Sequence, residues 1–363
     1  MKTLFLAVLT VSSFSVFSQY HHDNLKIMRT SYYGYDSAEN HDQYDLQYTF
    51  KNLRLYPIVS NQEFKNEHKE IGSFLLLDDA IRDKKIVISE TGATDQADPV
   101  VGEPERRVNR NSISNDAIQQ QEIQSSNIGG DVSGRVNTLI AQNTSTDTIF
   151  IMAGEVVKGG KQDRVLANDV IIAPGEKVDL NAFCVEKNRW ETKDQNGGKF
   201  TGYWKVSSMD IRKAATELKS QHAVWSTVEV HTKKNKADSE TKAYTQLEKS
   251  KDYRKELDAY MSKFKGAFDQ SEDVIGFIAV TDDRVIGCDL FATHDLFVDA
   301  YDNLIHSYVG NAITNGDSIK ISNKEVYAYL DKLLKSEEGQ EETIEDNGTL
   351  YKWKNKKLHI TTY

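Results

Sequence analysis

The sequence predicts an α+β fold in which a β-rich centre of antiparallel hairpins is followed by helices in the C-terminal half. Apolar runs separated by short polar turns recur between residues 136 and 186, which is typical of hairpins. Farther along the chain, apolar residues recur at steps of three and four, which indicates helices that pack through one face. The chain has no alternating strand–helix rhythm, and this argues against a parallel nucleotide-binding sheet.

The first 18 residues have the pattern of a secretory signal peptide. Lys2 precedes an apolar run from Leu4 to Phe17, and the small residues Val16 and Ser18 match a signal peptidase site. Because the run is short for a membrane span, we expect cleavage after Ser18 rather than an uncleaved anchor. The mature chain is then periplasmic or secreted, and we expect no later membrane span.

The rest of the chain divides into an arm, a main domain and an extension. Residues 19–50 form an N-terminal arm rich in Tyr, His, Asp and Asn, and residues 51–310 form the main α+β domain. Within that domain, residues 95–134 carry few large apolar side chains, so we predict a flexible insertion that cannot bury enough surface to pack. Residues 311–363 add a C-terminal helix and hairpin.

The first elements of the main domain are short. Residues 53–59 form a predicted strand, and Pro57 would confine it to a sheet edge or to a strand end, because proline lacks the donor that a ladder needs. The helical spacing of Phe74, Leu77 and Ile81 predicts a helix within residues 73–83. Residues 86–89 form a further predicted strand.

Two hairpins are predicted in the centre of the chain. The first joins residues 136–142 to residues 148–152 through a polar turn. The second joins residues 170–173 to residues 178–186 through the Pro174-Gly175 turn.

The C-terminal half is mainly helical. Residues 208–234 are permissive for helix, and a strand–turn–strand unit follows at residues 274–291. Ser322 and Glu325 form a capping box before a final helix. Residues 351–363 form a predicted hairpin. Two apolar stripes mark the longest helices: Leu257, Tyr260, Met261, Phe264 and Phe268 in one, and Leu296, Ala300, Leu304 and Tyr308 in the other.

Charge and residue usage exclude several classes of function. The net charge of −10 without a basic face argues against binding to nucleic acid or to anionic membranes. No histidine pair forms HExxH and no Cys/His set has zinc spacing, so we expect neither a metal nor a cofactor. Cys184 and Cys288 could pair in an oxidising compartment, or could both be buried free thiols.

The candidate site begins with GEVVKGGKQDR at residues 154–164. Gly159 and Gly160 permit a turn with converging backbone N–H groups, and Lys161 and Arg164 add positive charge, which suits phosphate or carboxylate. The spacing is neither a Walker loop nor a dinucleotide fingerprint. The alternative is a glycine bend in which Asp163 and Arg164 satisfy each other or the local backbone.

The second half of the candidate site is CVEKNRW at residues 184–190. Strand alternation places Cys184 and Glu186 on one face, and Arg189 and Trp190 follow at the strand end, where binding residues often gather. A catalytic cysteine would need a histidine base, for which His294 is a candidate distant in sequence. A structural Glu186–Arg189 ion pair is the alternative.

These two motifs, with the apolar strands between them, resemble the signature of a bacterial family, the ARG and rhodanese-phosphatase-superfamily-associated protein domain. The resemblance extends from about Leu53 through Glu90 and the central motifs to Tyr308. The chain departs from the pattern between Glu90 and Val136, after Tyr308, and at Lys187-Asn188. The resemblance marks these residues as the site: Glu155, Gly159, Gly160, Gln162, Asp163, Arg164, Cys184, Glu186, Arg189 and Trp190.

The family name implies an association with ADP-ribosylglycohydrolase-like and phosphatase-like proteins, and hence a phosphorylated or ADP-ribose-like ligand. Two classes of function follow. The first is a noncatalytic binding or interaction domain for a small anionic ligand, in which Arg164 and Arg189 clamp the ligand and Glu155, Asp163 and Glu186 orient them. The second is a hydrolase or transferase that uses one of these carboxylates as acid/base. The sequence contains no complete catalytic constellation, which favours the first class. It names no protein partner and no oligomeric state.

Overall fold

The computed structural model describes residues 24–28, 47–91, 137–189, 198–334 and 336–363. The predicted signal peptide, most of the N-terminal arm and the predicted insertion at 95–134 lie outside these residues. The strands are β1 (Leu25–Ile27), β2 (Thr49–Phe50), β3 (Leu53–Ser60), β4 (Leu75–Leu76), β5 (Ile86–Glu90), β6 (Thr138–Asn143), β7 (Ile149–Ile151), β8 (Glu155–Gly159), β9 (Arg164–Leu166), β10 (Val170–Ile172), β11 (Lys177–Cys184), β12 (Lys199–Val206), β13 (Val274–Thr281), β14 (Arg284–Phe291), β15 (Gly348–Trp353) and β16 (Lys356–Thr362).

The helices are α1 (Gln62–His68), α2 (Leu77–Arg82), α3 (Met209–Thr216), α4 (Gln221–Lys234), α5 (Lys251–Phe264), α6 (His294–Asn315), α7 (Asn323–Leu334) and α8 (Glu337–Asn347). Since α3 to α8 all follow the strand-rich centre, the α+β prediction is confirmed. No helix within the described ranges is both long enough and apolar enough to cross a bilayer.

The described residues form two compact units. The first, the sheet unit, contains the described residues that fall within 1–73, 260–302 and 315–363. Its seven-stranded antiparallel sheet has the order β1-β3-β13-β14-β16-β15, and β2 also pairs with β3. Apolar side chains of α7, among them Val326 and Leu330, pack on one face of this sheet against Ile278 and Leu290.

The prediction that Pro57 confines its strand to an edge or an end is wrong. Strand β3 is interior, with β13 on one side and β1 and β2 on the other. The Pro57 carbonyl oxygen accepts a hydrogen bond from the Met28 N–H, just beyond the end of β1. In an antiparallel ladder the nitrogen and oxygen of one residue face the same neighbour. The missing donor of Pro57 therefore faces Met28, where β1 stops pairing, and the pairing of β3 with β13 does not need it.

Local signals in the C-terminal part of the chain predicted the structure correctly. Strands β13 and β14 pair as an antiparallel hairpin, and so do β15 and β16. The turn of the second hairpin holds Lys354 and Asn355 at positive φ, as a two-residue turn between twisted strands requires. The capping box forms as predicted: the Glu325 carboxylate accepts from the Ser322 N–H, and the Ser322 hydroxyl accepts from the Glu325 N–H.

The second unit, the barrel unit, draws on residues 74–259 and 303–314. It contains a closed barrel with the strand order β11-β6-β5-β12-β8-β9 and a three-stranded sheet with the order β10-β7-β4. Successive residues of β8 face opposite sides of the barrel wall. Val157 packs in the apolar interior with Leu166 and Phe200, whereas Val156 packs outside against Ile211 and Val224 of the helices α3 and α4.

Both predicted central hairpins are wrong, although their strands are present. Strand β6 pairs with β5 and β11 in the barrel, and β7 pairs with β4 and β10 in the small sheet. Strand β11 pairs with β6 through its first half and with β9 through its second half, not with β10. All three residues of β7 are buried, so this strand needs cover on both faces, which a two-stranded hairpin cannot provide.

Smaller differences affect the helices. The helix predicted within residues 73–83 begins at Leu77, because Leu75 and Leu76 form a short strand parallel to β7. The apolar stripe of α5 continues to Phe268, but the helix itself ends at Phe264. The segment 208–234, which is permissive for helix, forms the two helices α3 and α4.

Candidate functional site

Strand pairing brings the two predicted motifs together at one mouth of the barrel. Strand β9 pairs with β8 on one side and with β11 on the other, and Arg164 lies directly opposite Cys184. The loop 160–163 and the chain after Cys184 therefore leave the barrel at the same end. Strand β5 ends there too, at Glu90, since Ser89 pairs with Lys199 and Phe200 pairs with Gly159.

The two glycines of the loop are required by close packing against β12. Gly159 has φ +140°, and a Cβ atom there would lie 2.6 Å from the carbonyl oxygen of Lys199. Gly160 has φ +50°, and its Cβ atom would lie 2.6 Å from the Phe200 ring. Both the conformation and the space exclude a side chain. The Gly159-Gly160 pair thus makes the bend that directs residues 161–163 over the end of the barrel.

A buried network of charges, here called the mouth cluster, consists of Glu90, Asp163, Arg164, Glu186 and Arg189. Its centre is Arg189, whose Nε and Nη2 atoms each lie 2.8 Å from Glu186 Oε2. Arg189 Nη2 also lies 3.5 Å from Asp163 Oδ1, and Nη1 donates to the Gly160 carbonyl at 3.0 Å. Arg189 thereby joins the glycine loop to the end of β11.

Arg164 holds the other side of the loop. Its Nη1 donates to the Gln162 carbonyl oxygen at 2.9 Å, and its Nη2 lies 3.6 Å from Glu90 Oε1, which also accepts from the Lys161 N–H at 2.8 Å. The Arg164 side chain is only 3% exposed. Two buried polar atoms here, Arg164 Nε and Gln162 Oε1, have no hydrogen-bond partner among the described residues.

Two carboxylates of the mouth cluster, those of Asp163 and Glu186, are more deeply buried than Arg189, whereas the Glu90 side chain is 15% exposed. The Asp163 side chain is completely buried and accepts from the Gly159 N–H at 3.2 Å and the Thr245 hydroxyl at 3.0 Å. The Glu186 side chain is 2% exposed, whereas that of Arg189 is 12% exposed. Lys161 and Lys187 are exposed on the loop and on the segment after β11, and the Gln162 amide lies 3.4 Å from the Lys187 carbonyl oxygen. The accessible charges here are therefore those of the two lysines, of the partly exposed Arg189 and of the partly exposed Glu90.

Cys184 is part of the barrel wall. Its N–H donates to the Gln221 side chain and its carbonyl accepts from the same amide, both at 2.8 Å. Burial raises the pKa of the Cys184 thiol, which keeps it protonated and therefore a poor nucleophile. Cys184 and Cys288 are both buried free thiols, so they do not form the disulfide that an oxidising compartment would permit. His294, the base considered from sequence, has its Nδ1 atom 2.6 Å from the Val274 carbonyl oxygen.

Glu155 does not join the mouth cluster. It begins β8, at the opposite end from Gly159, and four residues of strand span about 13 Å. Its carboxylate accepts from the Met152 N–H and from the Tyr203 hydroxyl, both at 2.8 Å. Burial raises the pKa of the Glu155 carboxyl to about 8, although both hydrogen bonds act to lower it. Glu155 therefore carries a proton through most of the neutral range.

Sequence reasoning identified four of the five residues of the mouth cluster and missed Glu90. It also missed Thr245 and Tyr203, which donate hydrogen bonds to Asp163 and Glu155. Glu90 alternates with Ile86 and Ile88, whose side chains face the barrel interior, so extending the predicted strand by one residue would have placed it there. Thr245 and Tyr203 reach their carboxylates only through tertiary pairing, for which the sequence carries no local signal. Trp190 lies outside the described residues.

Within the described ranges, no set of three or more His, Cys, Asp or Glu side chains is arranged to hold a metal ion. The mouth cluster itself contains two guanidinium groups among its three carboxylates, and each carboxylate lies within 4 Å of a guanidinium nitrogen. Its chemistry is that of a preorganised ion network with exposed cations above it.

Fold and site together define an α+β protein with a closed six-stranded barrel whose mouth is bridged by buried arginine–carboxylate pairs. The model of the ARG and Rhodanese-Phosphatase-superfamily-associated Protein domain matches residues 42–361, and the chain belongs to this family. The match includes the C-terminal helices and hairpin. No significant match occurs among curated proteins or among solved structures.

Proposed function

We propose that this chain is an exported, noncatalytic binding domain whose site for a small anionic ligand lies on the outer side of the mouth cluster. The observation that carries this proposal is the separation of charge across the cluster. Asp163 and Glu186 are buried, whereas Lys161 and Lys187 are exposed and Arg189 is partly exposed. An approaching anion meets two exposed lysines and Arg189, with Glu90 as the one partly exposed carboxylate of the cluster.

The buried partners preorganise the rim. Arg189 is held through Glu186 and the loop carbonyls, so little side-chain entropy is lost when it contacts a ligand. Lys161 directly follows Gly160, whose carbonyl oxygen accepts a hydrogen bond from Arg189. Family membership supports a phosphorylated or ADP-ribose-like ligand, because the family is named for its association with ARG and phosphatase-superfamily proteins. In this proposal Arg164, which is buried under the loop, positions the site and does not touch the ligand.

Calorimetric titration of the mature chain with ADP-ribose and with inorganic phosphate tests the proposal. We expect saturable binding that Lys161→Gln and Lys187→Gln each weaken by roughly tenfold, the effect of losing one charge-assisted hydrogen bond. Lys177→Gln is the matched control, since Lys177 is exposed at the start of β11, where that strand pairs with β6. Absence of binding to both ligands, or equal weakening by the control, would contradict the proposal.

A second candidate, a hydrolase or transferase, rests on Glu155. A buried carboxyl with a pKa of about 8 beside a tyrosine hydroxyl suits a general acid at neutral pH. The discriminating measurement is turnover of a phosphate monoester and of an ADP-ribosyl ester. Activity that Glu155→Gln abolishes, and that falls as the pH rises through about 8, would favour this candidate over the binding domain.

A further inference from the structure

The sheet unit contains a cavity of about 290 Å³ on one face of its sheet. Its apolar floor comes from Leu25, Ile275, Leu290 and Ile360, which belong to four different strands. These four side chains are part of the apolar core that α7 covers elsewhere. The cavity is therefore a place where the helical layer over the sheet is incomplete.

Two helices and a hairpin turn enclose the cavity. Helix α1 contributes Phe64, Glu67 and His68, and the Phe64 and His68 rings stack at 4.0 Å. Helix α8 contributes Glu337, the turn between β15 and β16 contributes Asn355, and Lys356 lines the cavity from the first position of β16. A second cavity of about 290 Å³ shares Phe64 and Ile275 as a common wall. The apolar floor thus extends beyond a single compartment.

The charges at the rim of the first cavity differ in whether they are already neutralised. Lys357 Nζ lies 3.7 Å from Glu337 Oε1 and also contacts the Gln340 side chain. Glu67 and Lys356 are exposed and form no ion pair with any residue that the structure describes. The rim therefore offers one uncommitted carboxylate and one uncommitted ammonium group above an apolar floor.

We propose that this cavity binds an apolar amino acid or dipeptide with free termini. The apolar side chain lies on the floor formed by Ile275 and Leu290, the ligand ammonium group pairs with Glu67, and its carboxylate pairs with Lys356. The volume lies at the lower end of the usual range for ligand pockets, about 300–1,000 Å³, which indicates a ligand of this small size. The proposal does not depend on the anion site, because its residues belong to the other unit.

Methyl-resolved NMR titration of the mature chain with leucyl-leucine tests this inference. We expect saturable shift changes at the methyl groups of Ile275, Leu290 and Ile360. N-acetyl-leucyl-leucine amide, which has the same side chains and no charged terminus, binds at least about tenfold more weakly, since both charge-assisted contacts are lost. Saturable shifts confined to the barrel unit, no saturable shifts, or equal affinity for the neutral analogue would overturn the proposal.

Exposed substitutions separate the two ion contacts from effects on folding. Glu67→Gln and Lys356→Gln each weaken leucyl-leucine binding about tenfold. Glu63→Gln on the same helix and Lys352→Gln on β15 are matched controls that leave affinity unchanged, because neither residue lines the cavity. If Glu67→Gln and Lys356→Gln keep the original affinity, or if the controls lose as much, Glu67 and Lys356 do not pair with the ligand termini.

Discussion

Arg189 Nη2 lies 2.8 Å from Glu186 Oε2 and 3.5 Å from Asp163 Oδ1, so one guanidinium group is shared between two buried carboxylates. The two acids come from different parts of the barrel wall: Asp163 precedes β9, and Glu186 follows β11. The arginine therefore links the glycine loop to the segment that follows β11. Stability and binding depend on different atoms of the same cluster, and they can be tested separately.

Removal of Arg189 leaves two carboxylates buried without their counter-ion. We expect Arg189→Ala to lower the free energy of unfolding by about 3–5 kcal/mol, the usual effect of breaking a buried ion pair. Urea unfolding measures this change. Lys187→Ala, an exposed neighbour, changes stability by no more than about 0.5 kcal/mol. If the arginine variant is as stable as the lysine variant, the cluster does not hold the barrel mouth.

Glu155 makes the stability of the fold depend on pH. Its pKa is raised to about 8 from a usual value of 4.5, so the folded chain binds a proton that the unfolded chain has released. Stability therefore falls as the pH rises from about 4.5 to about 8. Glu155→Gln removes the contribution of Glu155 to this loss of stability. Thermal unfolding of both proteins between pH 5 and pH 9 measures the difference. An unchanged pH profile would contradict the assignment.

Tyr203→Phe provides a companion test of the same group. The tyrosine hydroxyl donates to Glu155 and thereby lowers its pKa. Without that hydrogen bond the carboxyl stays protonated to higher pH, so the fall in stability extends further into the alkaline range. A shift in the opposite direction would show that the tyrosine does not donate to the carboxylate.

Gly159 is predicted to be the least replaceable glycine of the loop. Gly159→Ala places a Cβ atom 2.6 Å from a backbone carbonyl oxygen at φ +140°, and we expect a loss of roughly 3 kcal/mol or more. Gly175→Ala is the control, because Gly175 also has positive φ but nothing lies within 4 Å, so its cost is about 1–2 kcal/mol. If chemical denaturation shows that both variants lose the same stability, close packing against β12 does not require the glycine at position 159.

Both cysteines are expected to resist thiol reagents in the folded protein. Cys184 is 1% exposed and Cys288 is fully buried, and burial raises the pKa of each thiol. A colorimetric thiol assay should detect no reactive group in native buffer and two in guanidinium chloride. Rapid modification of Cys184 in the native state would contradict this expectation and would favour a role for Cys184 as a nucleophile.

Export remains a prediction from sequence, and the N-terminus of the mature chain tests it. Cleavage after Ser18 leaves Gln19 as the first residue. Intact-mass measurement of the protein from the periplasmic or secreted fraction should give the mass of residues 19–363. Recovery of the uncleaved chain from that fraction would refute the signal peptide.

The sequence by itself determined the elements that depend on near neighbours. The Ser322–Glu325 capping box and the Lys354-Asn355 turn were predictable because each rests on hydrogen bonds or backbone angles within a few residues. The two site motifs were also recognisable, because glycines and charges are rarely combined in this way within an ordinary strand.

Only the tertiary structure decided how the strands pair and which site residues meet. Strand β11 divides its pairing between β6 and β9, and this choice brings Arg164 opposite Cys184 while Glu155 remains at the far end of β8. Local propensity cannot predict such partners, because closing the barrel stabilises contacts between strands that are distant in the chain. The burial of Asp163 and Glu186 follows from that closure.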